Sequence, residues 1–191
     1  MGNQPFSSSA DPDWADLPKP EDDGGAAHLG GMALPSISLP ATDGGAVDLS
    51  ALTGRSVVYA YPMTGRPDRA LPEGWDMIPG ARGCTPQSCA FRDHFAELRE
   101  LGVTHLFGLS TQGTAYQAEA AARLHLPFAL LSDADLALAT ALNLPVMEVE
   151  GQVLLRRLTL VIEDGVIVKL FYPVFPPNEN ATIVIDWLRQ T

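Results

Sequence analysis

Along the chain, short apolar runs alternate with longer stretches in which apolar residues recur every three or four positions. The first pattern predicts buried strands and the second helices packed against them, so from Leu34 onward the sequence predicts an α/β domain around a central, mostly buried sheet. Residues 37–39 and 47–49 flank Asp43-Gly44-Gly45 and read as a small hairpin. Val57-Val58-Tyr59-Ala60-Tyr61 reads as a buried strand that ends at Pro62, which cannot continue a ladder. A helix is predicted from Thr85-Pro86 to about Leu101, with Phe91, Phe95 and Leu98 on its apolar face and Gly102 after it. Further strands are predicted at 105–109, 130–131, 158–162 and 166–171, the last two joined by Glu163-Asp164-Gly165. Helices are predicted at 114–124, 133–142 and 178–188. Residues 148 and 150, both Glu, read as part of a solvated turn.

Two regions do not fit this alternation. Residues 1–28 are rich in Ser, Pro and Asp and place Asp11, Asp13, Asp16, Glu21, Asp22 and Asp23 against Lys19, which predicts a mobile acidic tail whose large apolar groups are Phe6 and Trp14. The ordered domain is then expected over 29–191. Within it, residues 63–83 hold three prolines and Trp75 and make an unusually long loop, a length that in compact domains goes with function or disorder.

Composition narrows the function. The chain has 191 residues, 46% of them hydrophobic, which suits one core rather than two. A formal charge of −11 repels phosphate backbones and anionic lipid, so nucleic-acid and membrane partners are not expected and any anion site must be built locally. There is no apolar run of membrane-spanning length and no targeting pattern in the first 30 residues, which predicts a cytoplasmic protein. Two cysteines, Cys84 and Cys89, are too few for a disulfide scaffold.

Those two carry the chemistry. Cys84 stands at the mouth of the predicted helix, where unpaired N–H groups and the helix dipole favour a thiolate, and Arg82 and Arg92 add positive potential. Five helical residues put Cys89 about 140° around from Cys84 and about 7.5 Å along the axis. A disulfide needs Cα atoms within ~6.8 Å and converging Cβ vectors, so the pair can join only if the first turns unwind. Pro86 between them removes one intrahelical donor and eases that step. No Cys-x-x-Cys is present and the four histidines show no ligand spacing with the cysteines, so no metal site is expected. Neither a catalytic carboxylate pair, a phosphate-cradling glycine loop nor a Gly-x-Ser-x-Gly elbow is found.

From about Leu34 to Leu188 the chain resembles the peroxiredoxins of the bacterioferritin-comigratory-protein type. The likeness lies in Val57 to Pro62, Gly83-Cys84-Thr85, Cys89-Ala90-Phe91-Arg92-Asp93, Leu126-Pro127-Phe128, Leu130-Leu131-Ser132-Asp133 and Arg157 to Ile162. It implies a thioredoxin-like fold, a central mixed sheet flanked by helices, with an N-terminal hairpin and an insertion at 63–83 before the active-site helix. By this resemblance Cys84 matches the peroxidatic cysteine, Cys89 the resolving cysteine, and Arg157 the arginine that holds thiolate and peroxide. Pro62 matches the start of the family's peroxide-binding segment. The implied reaction is reduction of hydrogen peroxide or organic hydroperoxides through a Cys84 sulfenic acid, resolved by Cys89 as a disulfide that thioredoxin or a similar dithiol reduces. No cofactor is implied, and the protein is expected as a monomer or dimer. The chain departs from the family at Ala81, three residues before Cys84, where a Thr or Ser hydroxyl is the pattern; Thr64 is the candidate replacement. Two other readings use the same fold, a thiol–disulfide oxidoreductase and a redox sensor without turnover. The five-residue spacing of the cysteines and Leu158 before Thr159, where exchange enzymes carry proline, speak against the first.

Overall fold

A computed structural model describes residues 12–191. Its centre is a five-stranded mixed sheet built from β3 (Arg55–Ala60), β4 (Val103–Ser110), β5 (Leu130–Ser132), β8 (Leu158–Glu163) and β9 (Val166–Phe171), in the order β5-β4-β3-β8-β9. β4 runs parallel to both β3 and β5, whereas β8 is antiparallel to β3 and β9. Two small hairpins lie outside it, β1 (Ser38–Pro40) with β2 (Ala46–Asp48) and β6 (Val146–Val149) with β7 (Gln152–Leu155). The helices are α1 (Cys84–Asp93), α2 (Phe95–Glu100), α3 (Thr114–Arg123), α4 (Ala137–Leu142) and α5 (Asn180–Leu188). Among the described residues no helix is long and apolar enough to cross a membrane.

The continuous apolar run of β3 follows from burial on both faces. Val58 and Ala60 point into one core with Leu109, Leu160 and Ile162, closed by the first hairpin and α4. Val57, Tyr59 and Tyr61 point into the other, where α1, α2 and α5 supply Cys84, Phe91, Leu98, Val184 and Ile185. α1 is keyed to this second face. Phe91 stacks on Tyr59 with ring centroids 4.5 Å apart, and the Tyr59 hydroxyl donates to Ser88 Oγ at 3.1 Å. In β8 the same two-residue period sends Leu158 and Leu160 to the first core and Val161 to the second. Arg157 immediately precedes this strand.

Several boundaries differ from the sequence reading. The helix expected to 101 is two helices joined at His94 (φ −98°, ψ 9°), a junction with neither Gly nor Pro to announce it. The helix expected from 133 begins at Ala137, because Leu136 is left-handed at φ 57°. Asp133 still caps it, accepting from the N–H groups of Leu138 at 3.0 Å and Ala139 at 2.8 Å. Glu148 lies in a strand, not a solvated turn: β6 and β7 pair across a turn in which Glu150 and Gly151 both have positive φ.

From residue 12 onward the N-terminal stretch makes contacts with the domain. Trp14 meets Phe175 edge to face at 6.2 Å, and Asp23 accepts from the Tyr172 hydroxyl at 2.8 Å. Ala26 and Leu29 are buried in the first core. Aromatic and aliphatic burial thus anchors a segment whose composition reads as solvated. Phe6 and Asp11 lie outside the described residues.

Candidate active site

The site forms where β3 leaves the sheet and α1 begins. Gly83 precedes the helix at φ 109°, left-handed backbone that favours glycine. A Cβ there would fall 2.2 Å from Pro177 Cγ and 2.9 Å from the Trp14 ring, so the closely packed neighbours also require glycine. Cys84 is therefore set at the first helical position, buried at 3% exposure.

Arg157 reaches it from the strand side. Its Nη2 donates to Cys84 Sγ at 3.2 Å and to the carbonyls of Gly80, Ala81 and Arg82 at 3.2, 3.1 and 3.2 Å. Nη1 donates to Gln87 Oε1. The guanidinium is 3% exposed, and among the described residues no carboxylate forms an ion pair with it. A buried guanidinium without an ion-paired carboxylate is placed to oppose negative charge on the sulfur it touches. In the thiol form Sγ–H donates to the Ala81 carbonyl at 3.7 Å.

The space above opens as a cavity of about 800 Å³ that both cysteines line. Its apolar wall is Trp14, Met63, Leu71 and Trp75. Arg66, Arg69, Arg82 and Arg123 line it as well. Three of these are held by neighbouring carboxylates, Arg66 by Asp68 at 2.8 Å, Arg82 by Asp76 at 2.5 Å and Arg123 by Glu119 at 2.7 Å. Arg66 and Arg69 also lie over the Tyr116 ring. Tyr61 is fully buried beneath, and that burial pushes its phenol well above the ordinary range, so it stays neutral. Among the described residues no cluster of three or more His, Cys, Asp or Glu side chains is placed to hold a metal ion.

The structure thus brings Cys84, Arg157 and the backbone of 80–82 together, with Cys89 half-buried on the same cavity. No disulfide joins the cysteines, and α1 runs unbroken between them. The Arg82 side chain points to Asp76, leaving its carbonyl as its contact with Arg157. Pro62 and Thr64 are buried but do not line the cavity. The Thr64 hydroxyl donates to Gln112 Oε1 at 3.2 Å. Ala81, where a hydroxyl was looked for, packs its methyl into a small cluster with Trp75, Val149 and Leu154 and offers its carbonyl instead. Within residues 63–83, Trp75 lines the cavity and Met77 is 70% exposed.

Two site residues escaped the sequence reading. Gln87 carried a usable signal, a polar residue one turn beyond Cys84 on the same helix face. Asn180 carried none, since its nearness to α1 arises only when α5 packs.

Comparison with known proteins follows this geometry. Residues 29–185 match the Redoxin family. The chain is 30% identical over 165 residues to peroxiredoxin Bcp of Escherichia coli, covering 84% of this chain and 95% of that one. It is also 30% identical over 151 residues to a putative chloroplastic peroxiredoxin Q of Oryza sativa, covering 78% of this chain and 62% of the relative, so it spans less than two thirds of that relative's length. Among solved structures, peroxidoxin BcpB of Mycobacterium tuberculosis superposes with a TM-score of 0.68 at 25% identity, covering 85% of this chain and 97% of that one. The mixed central sheet flanked by helices is a thioredoxin-like fold. The chain belongs to the redoxin family, among its peroxiredoxins of the Bcp and peroxiredoxin Q type.

Proposed function

We propose that the protein is a thiol-dependent peroxidase in which Cys84 is the nucleophile, Cys89 the resolving thiol and Arg157 the fixed positive charge. The observation that carries this reading is the buried 3.2 Å contact between Arg157 Nη2 and Cys84 Sγ, with no carboxylate among the described residues ion-paired to the arginine. The Cys84 thiolate attacks the distal oxygen of hydrogen peroxide or an organic hydroperoxide. The O–O bond breaks, Cys84 becomes a sulfenic acid, and the leaving oxygen takes a proton to depart as water or alcohol. Arg157 opposes the charge that develops on that oxygen, as a preorganised cation does most effectively in a water-poor site.

Cys89 then displaces the sulfenic hydroxyl as water and forms a disulfide with Cys84. Unwinding of the first turns of α1 precedes this step, since continuous helix separates the sulfurs. An external dithiol of the thioredoxin type restores both thiols by exchange. A reducing, cytoplasmic setting suits this cycle and the two-cysteine composition. Neither Thr64 nor Pro62 is assigned a direct contact with peroxide, and the carbonyls of residues 80–82 hold Arg157 in position.

Peroxide consumption in the presence of a dithiol tests the reading. Cys84→Ser is expected to abolish turnover, and Cys89→Ser to leave one equivalent of peroxide consumed with a dimedone-trappable sulfenate on Cys84. Undiminished turnover by Cys84→Ser overturns it.

A further inference from the structure

We propose that Asn180, at the start of α5, is a positioning residue for the Cys84 reaction, acting through Gln87 and Arg157; this rests on the reading of Cys84 as the nucleophile. Arg157 can only donate hydrogen bonds. Because Arg157 Nη1 donates to Gln87, the amide oxygen of Gln87 must face it, and the amide nitrogen must face the other way. That nitrogen, Nε2, donates to Asn180 Oδ1 at 2.9 Å. The same Oδ1 accepts from the Thr159 hydroxyl at 2.7 Å, so Asn180 presents its oxygen to two donors at once.

The direction of the bonds is therefore set from Arg157, which has no acceptor, through Gln87 to Asn180, and the Thr159 hydroxyl, able to donate or accept, donates to the oxygen it meets. Turning the Asn180 amide over would put a second N–H against Gln87 Nε2. Turning Gln87 as well would put an N–H against Arg157. All four side chains are buried at 3% exposure or less, so water cannot substitute for a missing partner. Among the described residues the Asn180 Nδ2 has no hydrogen-bond partner, so toward them the side chain acts as an acceptor. Its place also has a topological meaning: Thr159 is on β8, Gln87 on α1 and Asn180 on α5, so one oxygen ties the strand that follows Arg157 to the helix that carries Cys84.

This acceptor-only role separates positioning from packing. Asn180→Leu removes the acceptor, frees the Gln87 amide to rotate and leaves Arg157 Nη1 without a fixed partner; Asn180→Asp keeps an oxygen toward both donors. The rate constant for Cys84 oxidation by hydrogen peroxide is measured for both variants, for Gln87→Leu and for the double variant. Asn180→Leu is expected to slow oxidation about tenfold, Asn180→Asp to stay within about threefold of the parent, and the double variant to be no slower than Gln87→Leu alone. A parental rate in Asn180→Leu, or losses that multiply in the double variant, overturns the proposal. If Asn180→Leu does not fold, Thr159→Val decides, since it removes one of the two donors that hold Asn180 Oδ1; about threefold slowing supports the chain and an unchanged rate overturns it. Cys84→Ser serves as the control. Continued peroxide consumption by that variant defeats the assignment of the nucleophile, whatever Asn180 does.

Discussion

Below Cys84 the site is made of side chains that the sheet and two helices hold, whereas above it the wall is a loop resting on a satellite hairpin. The floor comprises Arg157, Gln87, Asn180 and Thr159, each buried and hydrogen-bonded across β8, α1 and α5. The roof comprises residues 63–83, whose anchor is Trp75 packed with Ala81 on Val149 and Leu154 of β6 and β7. The floor shares its burial with the main core on that face, so disturbing it disturbs the domain. The roof has a small apolar cluster of its own, while its last residues, 80–82, are tied to the floor through their carbonyls on Arg157; the rest of it is the kind of segment, with few buried apolar contacts, in which local opening is expected first.

The division can be broken first by stability. Phe91→Ala, which empties the fully buried stack on Tyr59, is expected to lower global stability by about 3–5 kcal/mol. Trp75→Ala is expected to shift the denaturation midpoint less than Phe91→Ala and to raise proteolysis and amide exchange within 63–83 and the β6–β7 hairpin. Chemical denaturation with hydrogen exchange on the two variants makes the comparison; equal global losses would mean that roof and floor unfold as one. Next in size is the charge. Arg157→Met is expected to slow Cys84 oxidation by about 10²–10³, the range found when one preorganised donor is lost from a transition state. Stopped-flow measurement giving a loss under about threefold would remove Arg157 from the mechanism. Smallest is Arg82→Ala. Its side chain is about two-fifths exposed and already bound to Asp76. It is expected to change stability by less than about 1 kcal/mol and to leave the oxidation rate within about threefold. A loss as large as that of Arg157→Met would transfer the fixed charge to the roof.

The two regions also differ in how far the sequence reveals them. β3 and β8 are legible because burial on both faces leaves an unbroken β-branched and aromatic run, and Cys84 because glycine and a Thr-Pro pair mark a helix start. Glu163-Asp164-Gly165 marks the β8–β9 turn for the same kind of local reason, with Asp164 and Gly165 both at positive φ. The β6–β7 hairpin is hidden. Its turn is Glu150-Gly151, with Glu at positive φ, and its strands alternate only weakly between exposed and buried positions. The packing of Trp14 over Gly83 is hidden too, because its partners Phe175 and Pro177 come from the far end of the chain.

Arg157 enters as the candidate partner only through the family resemblance; by itself the sequence determined an α/β sheet, a helix opening on Cys84 and a second cysteine that helical geometry keeps apart from it. These are local facts, written in periodicity, turn chemistry and the phase of a helix. Only the tertiary structure decided that Arg157 is held by three backbone carbonyls and Gln87, that Ala81 serves through its carbonyl, that Arg82 is taken up by Asp76, and that Asn180 stands behind Gln87. The reason is physical. A hydrogen-bond chain among residues 87, 157, 159 and 180 has no period in sequence and comes into being when α1 and α5 close on the same face of the sheet.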